Sequence, residues 1–191
     1  PEIALRELIA NAVIHLDYSR TDSYVQVEIF DDRIEITNPG PLLPDMTVDR
    51  LIDQQPRARN EILAALMREL GFCEERGSGI DKAAFSLEVY GLPAVHFVNN
   101  PDSFRSILYA PKPYKAMEGE DRLRTTYQHT CLHYVMGQKV TNASLRTRLK
   151  LTAKQAQLVS ALIRKAIEAR IIKVANPGTS PRYIHYVPYW A

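Results

Sequence analysis

The stretch ALRELIANAVIHLDYS, residues 4–19, sets Glu7, Asn11 and His15 four residues apart. On an α-helix that spacing stacks a carboxylate, an amide and an imidazole on one face. Leu5, Leu8, Ile9, Ala12, Val13 and Ile14 surround them with enough apolar surface to bury most of the helix. Buried polar groups cost free energy unless they are paired. The row therefore implies either a hydrogen-bonded core network or a ligand site.

Charge divides the chain. Residues 1–110 carry 10 Lys/Arg against 18 Asp/Glu, and residues 111–191 carry 14 against 4, so the halves are −8 and +10. Such a split implies two modules with different partners, the basic one a candidate for nucleic acid. The plain alternative is a difference in solubility between two protein-binding domains. The break falls at APKPYKAMEGEDR, where two prolines and a charged run read as a linker. The expected organisation is thus a domain over 1–110, a linker over 111–121 and a second domain over 122–191. No apolar run approaches the ~20 residues of a membrane span, which excludes a transmembrane helix. Cys73 and Cys131 are the only cysteines in 191 residues. So few cysteines predict reduced thiols and a cytoplasmic setting. A chain that starts at Pro1 rather than Met reads as a piece of a longer protein with a further N-terminal domain.

In the acidic part, SYVQVEIFDDRIEITNPG alternates Val25, Val27 and Ile29, then Ile34 and Ile36, about a turn at Asp31-Asp32. This predicts a β-hairpin with one face on the first helix. A short helix is expected near Val48–Asp53. A stronger one spans NEILAALMRELGF, where Ile62, Leu63, Leu66, Met67 and Leu70 follow helical spacing and Gly71 is a natural stop. ERGSGIDKAAFSLEVYG gives a glycine turn running into another helix. AVHFVNN and SFRSILYA read as two more strands. The sum is an α+β domain, a mainly antiparallel sheet with helices on one face.

Three motifs in this order, ALRELIANAVIHLDYS, IFDDRIEITNPG and EERGSGIDK, resemble the histidine-kinase-like ATPase module known as the RecG-like helicase C-terminal domain. The resemblance covers residues 2 to about 110. It implies a two-layer sandwich of the superfamily that includes gyrase and the histidine kinases. In regulators this module usually follows an AlbA/Schlafen-type domain. It further implies that Glu7 polarises water as the catalytic group, and that Asn11 holds Mg²⁺ against the phosphates of ATP. His15, Asn38, Gly77, Ser78 and Gly79 would line the nucleotide, with the Gly77–Gly79 turn presenting N–H groups to phosphate. ATP and Mg²⁺ are the cofactors to expect. The superfamily's Asp-x-Gly-x-Gly is absent, and Thr37-Asn38-Pro39-Gly40 stands where its aspartate would read adenine. Leu16 also replaces the arginine that many relatives carry after the histidine. Any nucleotide binding is thus expected to be weak. From the residues alone, the row reads equally as a satisfied core network, and Arg59-Asn60 and Glu74-Glu75-Arg76 as surface ion pairs.

The basic part predicts a helix over Leu123–Met136 and a second from TNASLRTRLKL, capped by Thr141 or Asn142. A third covers TAKQAQLVSALIRKAIEAR with Thr152 as N-cap. Val159, Leu162, Ile163, Ala166 and Ile167 form its buried stripe. Two strands around Asn176-Pro177-Gly178 follow. Three helices and a hairpin resemble the winged helix-turn-helix tail found behind this ATPase-like module. Arg146, Arg148 and Lys150 on the second helix and turn, Lys154, Gln155 and Gln157 at the start of the third, and Arg182 in the wing are then the candidate contacts to double-stranded DNA. Helix-turn-helix proteins commonly dimerise to read paired half-sites, which leaves a homodimer open. His129, Cys131 and His133 do not make a metal set, because Cys131 points away from the two histidines on a helix. The leading reading is a DNA-binding transcriptional regulator with a degenerate ATPase-like domain. The rivals are a nucleotide-hydrolysing DNA-remodelling enzyme and an inert protein-interaction scaffold. No Gly-x-x-x-x-Gly-Lys-Ser/Thr loop occurs, so this stretch holds no helicase motor.

Overall fold

A computed structural model describes residues 1–55, 57–73, 79–178, 180 and 183–191. The chain forms two units, Pro1–Tyr90 with Val95–Ala110, and Gly91–Ala94 with Pro111–Ala191. Among the described residues no helix is long and apolar enough to cross a membrane.

In the first unit, helix α1 (Glu2–Ile14) is followed by strands β1 (Gln26–Ile29) and β2 (Arg33–Pro39), helices α2 (Glu61–Glu69) and α3 (Gly79–Val89), and strands β3 (His96–Asn99) and β4 (Ser103–Tyr109). A single 3₁₀ turn, Val48–Arg50, lies where the sequence predicts a short helix. The sheet runs β1-β2-β4-β3 with every pair antiparallel. Val27 pairs with Ile36 and Ile29 with Ile34, which puts these apolar residues on one face as the alternation predicts. Only the β2 half of that apolar face is covered. Ile36 is buried, whereas Val27 and Ile29 on the edge strand are exposed. On the opposite face Glu35 is buried between Arg33 (2.6 Å) and Arg105 (3.0 Å).

Helices α1 and α3 pack together through small residues, with Ala4, Ala10, Ala12, Ala83 and Ala84 all buried. Helix α2 departs from the burial that its spacing implies. Its apolar residues do recur at helical intervals, but Ile62, Leu66 and Leu70 are exposed and Ala64 is its one buried residue.

Helix α1 stops at Ile14, so His15 is its C-cap rather than part of its face. The end is held from afar. Asn60 Nδ2 donates to the carbonyls of Ile14 (2.7 Å) and Leu16 (2.8 Å). Arg59 donates through Nε to His15 O (3.0 Å) and through Nη2 to Pro41 O (2.6 Å). The Arg59-Asn60 pair therefore caps a helix terminus whose last carbonyls have no partner within the helix; among the described residues it makes no ion pair.

In the second unit a 3₁₀ turn (Tyr114–Ala116) leads into α4 (Gly119–Val135), which starts within the stretch that reads as a linker. Helix α5 (Asn142–Arg148) opens on a capping box between Thr141 and Ser144. A 3₁₀ turn, Ala153–Gln155, with a second capping box between Thr152 and Gln155, precedes α6 (Ala156–Glu168). Strands β5 (Ile172–Val174) and β6 (Tyr186–Pro188) pair antiparallel. The core comprises Cys131, Val140, Leu145, Val159, Ile163, Ala166 and Ile172, each 3% exposed or less. Asn142 ties α5 to α6 by donating to Ala156 O and Ser160 Oγ, both at 3.0 Å. Trp190 donates to Tyr127 Oη (3.1 Å) and meets Tyr134 edge-on, so it is a packing residue.

The Asn60→Ala substitution should lower the stability of the first unit by about 1–3 kcal/mol, since two carbonyls are deprived of their donor together. Urea unfolding followed by a first-unit probe checks this, with Asn60→Asp as the variant that keeps size but removes the amide donor.

Candidate functional site

The cleft of the first unit is built from the end of α1, the start of α3 and the loop before α2. It encloses about 630 Å³, in the size range of small-molecule sites. Glu7, Asn11, His15 and Gly79 all lie in its wall, so four of the residues singled out from sequence come together. Asn38 does not reach this cleft. It is buried on β2 and, with Asn11 and His15, lines a neighbouring cavity of about 50 Å³. Its Nδ2 makes only long contacts, 3.4 and 3.5 Å, to the carbonyls of Pro39 and Gly40. Gly77 and Ser78 lie outside the described residues.

Glu7 is 2% exposed, and one carboxylate oxygen is held by Arg6 at 2.9 Å. The other oxygen faces Gly79. A Cβ there would stand 2.9 Å from Glu7 Oε2 and 3.3 Å from Asn11 Nδ2, so a side chain at residue 79 would push the Glu7 carboxylate and the Asn11 amide from their places. Asn11 Nδ2 is buried and has no hydrogen-bond partner among the described residues. An orphaned donor of this kind costs about 1–3 kcal/mol, a cost that an acceptor entering the cleft would remove. A half-turn of the same amide presents its oxygen, which suits a hard cation. The residues present thus fit a phosphate-bearing ligand with Mg²⁺: a carboxylate to orient water, an amide to bind, and backbone at a helix start.

His15 is held neutral. Burial, reinforced by the charge of Arg59, lowers its pKa from 6.5 to about 4. Two residues into α3, burial raises Asp81 to about 6, against a hydrogen bond from the Asp53 N–H. Sequence reading missed Gln54 and Arg57 of the loop and Arg68 of α2, which also line the cleft. Gln54 Oε1 is a second buried amide atom without a partner among the described residues. No local pattern marks DQQPRAR as a cleft wall, because only the tertiary fold brings it there.

In the second unit the DNA candidates separate. Lys154 on the 3₁₀ turn before α6 and Gln157 on its first turn are exposed. Arg146 is half-buried and donates to Asn142 Oδ1 (3.0 Å). Arg148 is 9% exposed and donates to Leu92 O (2.7 Å), which gives it a structural task within the unit. Gln155 accepts from Thr152 N and Oγ1 (3.0 and 3.1 Å), so its amide oxygen is spent on the capping box. The ammonium of Lys150 lies over Gly91. Arg182 lies outside the described residues.

An antiparallel sheet with helices and a polar cleft between α1 and α3 defines an ATPase-like domain in the first unit. Residues 22–108 match the family described as "Putative ATP-dependent DNA helicase recG C-terminal", and the domain is related to that family. The match starts after α1, so Glu7, Asn11 and His15 lie outside it. Among solved structures, the DIP2311 protein from Corynebacterium diphtheriae is similar in fold. It has a TM-score of 0.52 and 20% identity over 98% of this chain, which spans 39% of that protein. No curated protein matches the chain.

The depressed His15 pKa has a pH signature. His15 is neutral in both folded and unfolded chains above pH 6.5. As pH falls towards 4, only the unfolded chain takes up the proton, so stability is lost over that window by up to about 3 kcal/mol. The raised Asp81 works in the opposite sense between its ordinary 3.8 and about 6, and is common to wild type and variant. The stability difference between wild type and His15→Gln, followed by urea unfolding from pH 7 to pH 4, should therefore shrink by that amount.

Proposed function

We propose that this chain is a DNA-binding transcriptional regulator, and that its ATPase-like unit binds a nucleotide weakly as an effector. The supporting observation is the surface at the start of α6. A helix pair, α5 and α6, is followed by a two-stranded hairpin in a segment carrying +10, and Lys154 on the 3₁₀ turn before α6 and Gln157 on its first turn stand exposed. In this reading the unit is a winged helix-turn-helix. Helix α6 enters the major groove, Gln157 pairs with a base edge, and Lys154 and Arg146 hold phosphate. A homodimer would present two such helices to paired half-sites. Arg148 and Gln155 are not part of the reading surface, because Arg148 is buried and the Gln155 amide oxygen is held in the capping box.

For the first unit, Asn11, Gln54 and the backbone at Gly79 are the proposed ligands for nucleotide, with Glu7 orienting water and Mg²⁺ held near the Asn11 amide. With Thr37-Asn38-Pro39-Gly40 in place of the adenine-reading aspartate, affinity for ATP–Mg²⁺ should lie in the micromolar range or weaker. Calorimetric titration checks this, and a sub-micromolar constant would contradict it. Where turnover is measurable, Glu7→Gln should abolish it and leave binding.

Fluorescence anisotropy at low salt tests the DNA reading. Replacing Arg146 and Lys154 by Ala should weaken all duplexes about equally and flatten the salt dependence by roughly one unit for each phosphate no longer neutralised. Gln157→Ala should cost roughly 1–3 kcal/mol on the preferred site and little elsewhere. Absence of binding to any duplex would leave the protein-interaction scaffold as the reading.

A further inference from the structure

The second unit contains a cavity of about 290 Å³ that the DNA reading does not use. Its wall is drawn from residues 91–93, 112–115, 117 and 148–151, with Thr125 and Gln155. Four of these residues are cationic, Lys112, Lys115, Arg148 and Lys150, of which Lys112 faces the Asp121 carboxylate at 3.8 Å, and none of the described lining residues is acidic. The rest of the wall is mainly apolar, with Leu92, Pro93, Met117, Leu149 and Leu151.

Like charges gathered around one small concavity raise its potential, and apolar walls keep solvent from screening it. One of the cations is fixed in place. Arg148, on the buried side, is anchored to the Leu92 carbonyl. Lys150 has a left-handed backbone, φ +54, and its side chain lies flat over Gly91, itself at φ +63. A Cβ at Gly91 would collide with Cε and Nζ of Lys150, so the missing side chain is what lets the ammonium rest at the cavity wall. The preset charge of Arg148 costs a ligand little ordering entropy.

We propose that this cavity binds a small organic anion, a phosphate or carboxylate head on an apolar body about the size of one ring. The head sits among Lys115, Lys150 and Arg148, and the body lies against Met117, Leu149 and Leu151. The proposal does not depend on DNA binding or on nucleotide in the first unit, and its test uses neither.

Phenyl phosphate titrated into the whole chain, followed by backbone amide NMR, is the direct test. The expected result is saturable binding with shifts concentrated in residues 91–94, 112–117 and 148–155. Inorganic phosphate and phenol should each bind about tenfold more weakly or worse, since each offers one half of the recognition. Benzoate in a parallel titration distinguishes a carboxylate head from a phosphate head. The double variant Lys115→Gln/Lys150→Gln should weaken phenyl phosphate about tenfold, with circular dichroism to confirm that it folds. Three results would overturn the proposal: no saturation, shifts that map elsewhere, or inorganic phosphate binding as tightly as phenyl phosphate. An unchanged affinity in the folded double variant would do the same.

Discussion

One side-chain amide, Asn60, holds two carbonyl oxygens at the end of α1. Arg59 takes the carbonyl between them and fastens Pro41 as well. The terminus is thereby tied to the loop that forms the opposite wall of the cleft. Because α1 is anchored at that end, Glu7 and Asn11, farther back along the helix, are presented at fixed height to the start of α3. Gly79 completes the fit by leaving no side chain between the two helices. The site is thus a product of helix capping and close helix approach, two backbone effects, before any side-chain chemistry begins.

Much of the fold was legible in the sequence. Alternation about Asp31-Asp32 placed the β1–β2 hairpin, and the spacing of apolar residues placed α2 and α6. Burial was less legible. The stripe on α2 has the right period, yet periodicity states only that residues share a face, not that anything covers it. The edge position of β1 leaves Val27 and Ile29 open for the same reason. At the site, the Glu7–Asn11–His15 row was readable because all three come from one stretch of chain. Gln54, Arg57 and Arg68 were not, because they reach the cleft only through long-range packing. Arg59 and Asn60 read as charge and polarity; their hold on distant carbonyls has no local signature.

The second unit shows how composition overstates availability. Its positive excess is real, but individual cations have separate tasks. Arg148 supports a loop carbonyl, Lys150 is laid over a glycine, and Lys154 is left to solvent. Gln155, attractive as a base reader, spends its oxygen on starting the next helix. A residue that stabilises a helix start cannot also be free to select among ligands, so the surface open for recognition is narrower than the charge map.

The two cysteines fall one to each unit. Cys73 lies half-buried in the wall of the first unit's cleft, and Cys131 is fully buried in the core of the second. Cys131 therefore reacts with an alkylating probe only when the helical core around it opens, whereas half-buried Cys73 reacts from the folded state and faster once the first unit unfolds. Whether the two units melt as one cooperative body or as independent ones can be read from the wild-type chain by mass spectrometry, with no engineered reporter.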